Sequence, residues 1–346
     1  MGIILLCIFM TLSRRNFLKV SVGSAALATT PAAIAKTASA TIIPKRKFGR
    51  HDDLLTVLGV GGHTLYLSGS QKEATEIAHR ALDLGVNFFE NAWDYHGGEA
   101  EEYMGVALEG RRDDIFLMSK FCNYHMSKYT EDVAGAMKML EDSLRRLKTD
   151  HLDLWMLHHV SDDDAEDAYR QDGAIEAMEL AKKQGKIRYT GFTGHTEVKV
   201  HRDLIEGGYE WDATLMPVSV VGALQSRKFE SEIIPLCEKH GIAVLGMKGF
   251  GGSRRTELHG KTTVQEALQY SLSYPQVCTH VVGIDKLDYI NQAVAGASAK
   301  PFEAAERARF AVDDSPDSPE FAAMQYGGKH YESGCCSGRR NQQDKA

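Results

Sequence analysis

Short apolar segments alternate with amphipathic segments of helical period along residues 45–300. Each short segment is apolar or β-branched on both faces, which is typical of a buried parallel strand, and each amphipathic segment predicts a helix. The predicted strands are residues 56–61, 86–90, 115–120, 152–158, 187–193, 213–217, 243–248 and 278–284. The predicted helices are residues 72–84, 100–108, 131–147, 174–184, 199–206, 230–239, 263–273 and 288–297. This strict alternation predicts a single α/β domain, a parallel eight-stranded (β/α)8 TIM barrel, because a doubly wound open sheet more often has about five or six strands.

The segment before this domain has the layout of an export signal. Arg14 and Arg15 stand shortly before Phe17, and a weakly apolar, uncharged run follows at residues 20–35. The paired arginines resemble the twin-arginine motif. Residues 1–40 are therefore predicted to be a signal peptide that the twin-arginine export machinery recognises.

Export through this route predicts a mature protein that is periplasmic or otherwise outside the cytoplasm. Cleavage after Ala35 or after Ala40 would fit the small residues that a signal peptidase reads, and translation could start at Met1 or at Met10. The apolar run is too short and too rich in small residues for a membrane span of about 20 apolar residues. We therefore expect no stable membrane span after cleavage.

The C-terminal segment, residues 301–346, differs in composition from the barrel. Residues 313–319 are acidic and proline-rich, and residues 327–346 are polar. Such a composition can bury little apolar surface, which predicts a polar tail that is partly disordered. The tail either lies loosely on the surface or covers the barrel mouth and contributes to substrate selection.

The 346-residue chain contains 43% hydrophobic and 25% charged residues and has a formal net charge of −7. These values are ordinary for a soluble globular protein with a mildly acidic surface, and they argue against binding of nucleic acid. No two of the six cysteines have the C-x2-C spacing of a zinc or iron–sulfur site, so the sequence predicts no metal site. Cys335 and Cys336 lie in the polar tail, where a disulfide and an incidental metal contact are both open.

Polar residues stand where several predicted strands end, and that end of a (β/α)8 barrel carries the reactive groups. Glu90, Lys120 and His158 close the second, third and fourth strands, and Tyr95 follows in the loop after Glu90. An ammonium near a phenol favours the ionised form of the phenol, so Tyr95 beside Lys120 is a candidate general acid. Glu90 would hold Lys120 charged and oriented, and His158 could bind and polarise a substrate carbonyl group.

Each of these residues also has an ordinary structural interpretation. Glu90 and Lys120 could form an ion pair at the barrel end, Tyr95 could be a packed aromatic and His158 a buried core imidazole. The joint occurrence of suitable groups at successive strand ends favours the catalytic interpretation.

Two rival functions remain open at this point. A metal-dependent barrel hydrolase or isomerase would use His63, His158 and His159, yet the first strand lacks H-x-H, and adjacent residues on a strand point in opposite directions. A catalytically impaired or non-enzymatic barrel could instead bind a nucleotide or a sugar outside the cytoplasm, because a fold alone does not guarantee activity.

Four segments resemble the aldo-keto reductase family. Residues 88–99, F-F-E-N-A-W-D-Y-H-G-G-E, resemble the family's F-F-D-T-A-x-x-Y-G-x-G segment. The other three are residues 116–120 (the lysine strand), 152–158 (D-L-x-x-L-H) and 185–191 (G-K-I-R-x-x-G). The resemblance extends over about residues 47–299 and implies reduction of an aldehyde or ketone by hydride transfer from NAD(P)H.

The resemblance also implies a role for each candidate catalytic residue. Tyr95 would be the proton donor, Lys120 would tune it, and His158 would orient the carbonyl group. Glu90 stands where the family has an aspartate, so its longer side chain could displace its contact with Lys120.

For the cofactor, the resemblance implies NADP, with NAD as the other possibility. Thr193 and Gly194 stand where the family has Ser-Asn, and Leu215 stands where a glutamine holds the nicotinamide carboxamide, so these anchors are altered. The remaining implied cofactor-binding residues are Lys248, Gly249 and Gly251, over the pyrophosphate, and Gly283, Asp285 and Lys286, at the adenosine phosphate. Lys286 could meet a 2′-phosphate as a point charge.

Overall fold

The computed structural model describes residues 43–122, 132–160, 164–195, 198–220, 228–250 and 262–310. The strands are β1 Lys45–Lys47, β2 Leu54–Thr56, β3 Leu58–Gly61, β4 Phe88–Glu90, β5 Phe116–Cys122, β6 Leu152–His158, β7 Ile187–Thr193, β8 Ala213–Pro217, β9 Ala243–Met247 and β10 Val277–Gly283. The helices are α1 Gly62–Tyr66, α2 Gln71–Asp83, α3 Glu99–Ala107, α4 Val133–Leu147, α5 Asp164–Tyr169, α6 Ala174–Lys183, α7 Val198–Glu206, α8 Ile234–His240, α9 Val264–Leu272, α10 Leu287–Ser298 and α11 Ala304–Arg307. The predicted signal peptide, residues 1–40, lies outside the described residues.

Strands β3 to β10 form a closed barrel, in which β10 pairs with β3. Each neighbouring pair in this barrel is parallel. This confirms the predicted (β/α)8 barrel. Because the strands run in one direction, their carboxyl ends meet at one rim, and buried side chains such as Met118, Leu154 and Leu245 fill the interior.

An antiparallel hairpin precedes the barrel and was not predicted from the sequence. Strands β1 and β2 pair with Lys45 opposite Thr56, so the predicted first barrel strand, residues 56–61, begins too early. Phe48, in the connection of the hairpin, is fully buried, and its ring centroid lies 5.1 Å from that of Phe116. Since Phe116 is the first residue of β5, the hairpin closes the amino-terminal end of the barrel.

Most helices lie where the apolar periodicity predicts them, with ends shifted by a few residues. The exceptions are α1, α5 and α11, which were not predicted. They have 5, 6 and 4 residues, too few to show a helical period in the sequence. Among the described residues, no helix combines the length and apolarity that crossing a bilayer requires.

The packed structure extends past residue 300 to Phe310. The rings of Phe302 and Phe310 stack with centroids 5.6 Å apart, and Phe310 lies 5.8 Å from the ring of Tyr270 on α9. The Arg307 guanidinium donates to the backbone oxygen of Ser273 at 3.1 Å. The first part of the predicted tail is therefore anchored on the barrel, and its remainder lies outside the described residues.

Candidate active site

The candidate catalytic side chains lie together at the carboxyl-terminal rim of the barrel. Glu90 is the last residue of β4, Lys120 lies near the end of β5 and His158 is the last residue of β6. Tyr95 begins the short 3-10 turn Tyr95–Gly98 in the loop after β4. Parallel pairing of β4 with β5 and of β5 with β6 brings these residues to the same side of the molecule.

Glu90, Lys120 and Tyr95 form one hydrogen-bonded cluster. The Lys120 ammonium donates to Oε1 of Glu90 and, at 3.0 Å, to the hydroxyl oxygen of Tyr95. The Tyr95 hydroxyl donates to the same Glu90 oxygen at 3.1 Å. Lys120 also donates to the backbone oxygen of Asn91 at 2.8 Å, so each hydrogen of the ammonium has an acceptor.

Because the cluster is buried, its charged groups are stabilised by one another instead of by water. Lys120, Glu90 and Tyr95 are 1%, 3% and 8% exposed. Burial alone would raise the pKa of Glu90, but the charge of Lys120 and its hydrogen bond hold that pKa below its usual range. The Glu90 carboxylate is therefore ionised at neutral pH.

His158 pairs with a carboxylate that the sequence analysis missed. Its Nδ1 lies 3.1 Å from Oδ1 of Asp94. Burial alone would lower the pKa of His158, but the charge and hydrogen bond of Asp94 raise it to about 9. His158 is therefore an imidazolium at neutral pH. The sequence feature that could have identified Asp94 is its position directly before Tyr95, in a loop at a strand end.

Three further histidines at the rim are neutral. Burial lowers the pKa of His63 and of His159 to about 4, and it holds the pKa of His195 well below its usual value. The positive charge of Lys248 acts on all three in the same direction. Among these four imidazoles, only that of His158 is charged at neutral pH.

Arg146, on α4, fixes the loop that carries Tyr95. Its guanidinium donates to the backbone oxygen of Trp93 at 2.8 Å and to Oε2 of the buried Glu101 at 3.1 Å. Gly98 permits this approach, because it has a φ of 101° and a Cβ atom there would lie 2.3 Å from Cζ of Arg146. The position of Tyr95 thus depends on the contact of Arg146, on α4, with the loop that carries Tyr95.

The residues implied at the nicotinamide end lie near the same rim. Thr193 ends β7 and is 1% exposed, and its hydroxyl has no hydrogen-bond partner among the described residues. Gly194 is closely packed, since a Cβ atom there would lie 2.6 Å from Cε1 of His201. Leu215 is buried in the barrel interior. Of this set, the Thr193 hydroxyl is the side-chain group that could bind a carboxamide.

The residues implied at the pyrophosphate follow β9. Lys248 comes directly after the strand and has a φ of 60°. The backbone N–H of Gly249 donates to Nε2 of His280 at 3.1 Å, and a Cβ atom at Gly249 would lie 2.6 Å from that nitrogen. Packing on His280 therefore explains this glycine without a nucleotide. Gly251 lies outside the described residues.

The residues implied at the adenosine phosphate lie between β10 and α10. Gly283 ends β10, where a Cβ atom would lie 2.4 Å from Oγ1 of Thr64. Asp285 and Lys286 lead into the 12-residue helix α10, of which Lys286 is the N-cap residue. Lys286 is exposed, and its ammonium lies 5.6 Å from the ring centroid of Tyr289. A cation at a helix N-terminus is suited to bind a phosphate group.

Residues 57–258 match the Aldo/keto reductase family. The chain belongs to this family. It is 31% identical over 229 residues to the methylglyoxal reductase YeaE of Escherichia coli, a match that covers 63% of this chain and 74% of that protein. It is 27% identical over 220 residues to the aldo-keto reductase yakc [NADP(+)] of Schizosaccharomyces pombe, over 59% of this chain and 60% of that protein.

Among solved structures, the holo form of the aldo-keto reductase AKR11C1 from Bacillus halodurans is similar to this chain. The TM-score is 0.65 and the sequence identity is 27%, over 78% of this chain and 95% of that chain. As an aldo/keto reductase, the protein is an NAD(P)H-dependent oxidoreductase that reduces carbonyl groups.

In this aldo/keto reductase, the longer side chain of Glu90 does not displace its contact with Lys120. The sequence suggested a displaced contact, and the structure instead retains the ion pair. The same carboxylate also accepts a hydrogen bond from the Tyr95 hydroxyl at 3.1 Å. Glutamate at position 90 therefore keeps the ion pair with Lys120.

Replacing Glu90 with glutamine should destabilise this aldo/keto reductase, because the buried Lys120 ammonium loses its counter-charge. Removing one partner of a buried ion pair typically costs about 3–5 kcal/mol in the free energy of unfolding. Glu90→Asp keeps the charge and should cost clearly less. Urea unfolding of the wild type and both variants measures the effect, and a Glu90→Gln variant as stable as the wild type would contradict the described pairing.

Proposed function

We propose that this aldo/keto reductase uses NADPH to reduce a small aldehyde or ketone, with Tyr95 as the general acid. The observation that carries the proposal is the buried Tyr95 hydroxyl, 3.0 Å from the Lys120 ammonium and 3.1 Å from the Glu90 carboxylate. The carboxylate orients a phenol that lies between these groups, and the ammonium favours loss of the proton of the phenol.

NADPH, when bound, supplies the hydride that adds to the carbonyl carbon. The Tyr95 hydroxyl gives its proton to the carbonyl oxygen, so the product is an alcohol and the phenolate that remains is stabilised by Lys120. His158, held by Asp94 through Nδ1, donates a hydrogen bond from its other ring nitrogen to the same oxygen. That bond strengthens as negative charge develops on the oxygen in the transition state.

Three features support binding of a nicotinamide nucleotide, and the second and third of them favour NADPH. The buried Thr193 hydroxyl, at the rim end of β7, suits a carboxamide partner. The exposed Lys286, at the N-terminus of α10, suits the 2′-phosphate that distinguishes NADPH from NADH. The similar Schizosaccharomyces pombe protein carries NADP(+) in its name. NADH is the alternative nucleotide, and we expect it to bind more weakly because it lacks this phosphate group.

Two measurements on the purified full-length protein test the proposal. Nucleotide fluorescence is recorded while the protein is titrated with NADPH and with NADH, and turnover of a panel of aldehydes and ketones is then measured. Methylglyoxal belongs in the panel, since the similar Escherichia coli protein is named for it. Tyr95→Phe should retain NADPH binding and lower kcat by about 100-fold or more, the usual contribution of a general acid.

The control for this substitution is Tyr103→Phe, which removes a hydroxyl from a half-buried tyrosine on α3, outside the catalytic cluster. This variant should reduce carbonyl compounds at nearly the wild-type rate. Absence of binding for both nucleotides would contradict the proposed function. Full activity of Tyr95→Phe would contradict the role of Tyr95 as the acid.

We further propose that the protein is exported through the twin-arginine machinery. The support is the sequence of residues 1–40, in which Arg14 and Arg15 precede a weakly apolar run that ends in small residues. A protein that folds before it crosses the membrane could carry its nucleotide with it.

Changing Arg14→Lys together with Arg15→Lys should abolish export, because the paired arginines are the feature that the machinery reads. Immunoblots of the exported and cytoplasmic fractions should then show the full-length precursor in the cytoplasm only. Lys36→Arg is the matched control, because it alters a basic residue outside the motif, and it should be exported and processed normally. Unchanged export of the double-arginine variant would show that the proposed signal is wrong.

A further inference from the structure

Three different metal-binding side chains meet beside the catalytic cluster. A carboxylate oxygen of Asp94, the sulfur of Cys122 and a ring nitrogen of His158 all lie within 4.8 Å of one another. Cys122 and His158 are opposite each other on the adjacent strands β5 and β6. Among the described residues, no other group of three His, Cys, Asp or Glu side chains meets this distance.

These donor atoms are shielded from solvent, unlike those of a chance surface cluster. The side chains of His158 and Asp94 are 1% and 9% exposed, and Cys122 is 2% exposed. Nδ1 of His158, the atom closest to the carboxylate, already lies 3.1 Å from Oδ1 of Asp94. The imidazole is therefore oriented toward the other two donors.

The combination of thiolate, imidazole and carboxylate is typical of zinc. Zinc binds sulfur at about 2.3 Å, nitrogen at about 2.0–2.1 Å and oxygen at about 2.0–2.2 Å in a tetrahedral arrangement, which separates neighbouring donors by roughly 3.4–3.8 Å. Donors within 4.8 Å of one another need to move by only about 1 Å to reach this geometry. Magnesium and calcium prefer sites made of oxygen atoms alone, so the thiol disfavours them.

We propose that Asp94, Cys122 and His158 bind a Zn²⁺ ion. Three protein ligands leave the fourth tetrahedral position open to water or to another small ligand, as in zinc sites that are not purely structural.

Charge balance supports this choice of ion. On binding, the Cys122 thiol proton and the Nδ1 proton of His158 pass to solvent, and Nε2 keeps its hydrogen. The thiolate and the Asp94 carboxylate then supply two negative charges against the two positive charges of the ion. The positive charge of Lys120 acts on His158, but Lys120 is itself paired with Glu90.

The bound ion would inhibit carbonyl reduction, and this consequence rests on the proposed function. His158 would bind zinc through Nδ1, so its hydrogen bond to Asp94 would break and the imidazole would leave the position from which Nε2 is proposed to reach the carbonyl oxygen. Removal of zinc by a chelator would restore the hydrogen bond, so the inhibition is reversible. Binding of the ion itself does not depend on the proposed function.

The binding test uses the full-length protein after treatment with a chelator and dialysis. Zn²⁺ is titrated by calorimetry, and Co²⁺ is titrated in parallel by ultraviolet and visible absorption, where a thiolate–cobalt bond gives a charge-transfer band. We expect this band, and one Zn²⁺ per chain at the site. Cys122→Ser should abolish the band, and Asp94→Asn should weaken zinc binding at least tenfold without changing the thiol.

The control is a Cys335→Ala/Cys336→Ala double variant, because adjacent thiols in the polar tail could bind the same ions. This control should retain both the band and the tight binding. Far-ultraviolet circular dichroism of each variant verifies folding, and Asp94→Asn still tests the site if Cys122→Ser does not fold. No binding of Zn²⁺ by the wild type at millimolar concentration, or a band that persists in folded Cys122→Ser, would overturn the proposed site.

The inhibition test follows NADPH consumption with an aldehyde substrate. Zn²⁺ should inhibit the wild type, a chelator should restore the rate, and Asp94→Asn should need at least tenfold more Zn²⁺ for half inhibition of its own metal-free rate. If the metal-free wild type does not reduce carbonyl compounds, the proposed function fails while the titrations still decide the site. If the active enzyme binds Zn²⁺ at the site and keeps its rate, the inhibitory role is wrong.

Discussion

The active site depends on the buried ion pair between Lys120 and Glu90. An ammonium without water is tolerated only where a counter-charge and hydrogen-bond acceptors surround it, and here Glu90, the Asn91 carbonyl and the Tyr95 hydroxyl supply them. These partners come from β4 and the loop that follows it, whereas Lys120 comes from β5. Pairing of the barrel strands therefore also assembles the catalytic cluster.

A second pair, Asp94 with His158, sets the charge on the other side of the Tyr95 ring. The ring centroids of Tyr95 and His158 lie 5.6 Å apart, close enough for a carbonyl oxygen to meet both side chains in the proposed reaction. Neighbouring imidazoles such as that of His195 are neutral, so His158 is the charged imidazole among the four rim histidines, and it lies beside the ammonium of Lys120. A site of this kind stabilises a developing oxyanion without further reorganisation of its dipoles.

The barrel and its first catalytic residues could be predicted because both follow from local patterns. Apolar periodicity locates the strands, and Glu90 and His158 are simply the residues at which two strands end. The hairpin escaped prediction because β1 is the basic segment Lys45–Lys47, without apolar alternation, and the apolar residues of β2 run without a break into the barrel strand that follows. The contact of Asp94 with His158 depends on the path of a loop in which His96 has a positive φ, and no spacing in the sequence specifies that path. The cofactor residues were suggested by resemblance alone, and packing explains Gly249 equally well.

The role of the ion pair between Lys120 and Glu90 is tested most directly by the single-turnover rate of carbonyl reduction by a Glu90→Gln/Lys120→Met double variant. Neutralising both partners leaves no unpaired buried charge, so the variant should fold and bind NADPH as the wild type does. We predict a rate at least about 100-fold below that of the wild type, because the phenolate of Tyr95 loses its stabilising cation. A folded double variant that reduces the substrate within a few-fold of the wild-type rate would contradict this role of the ion pair.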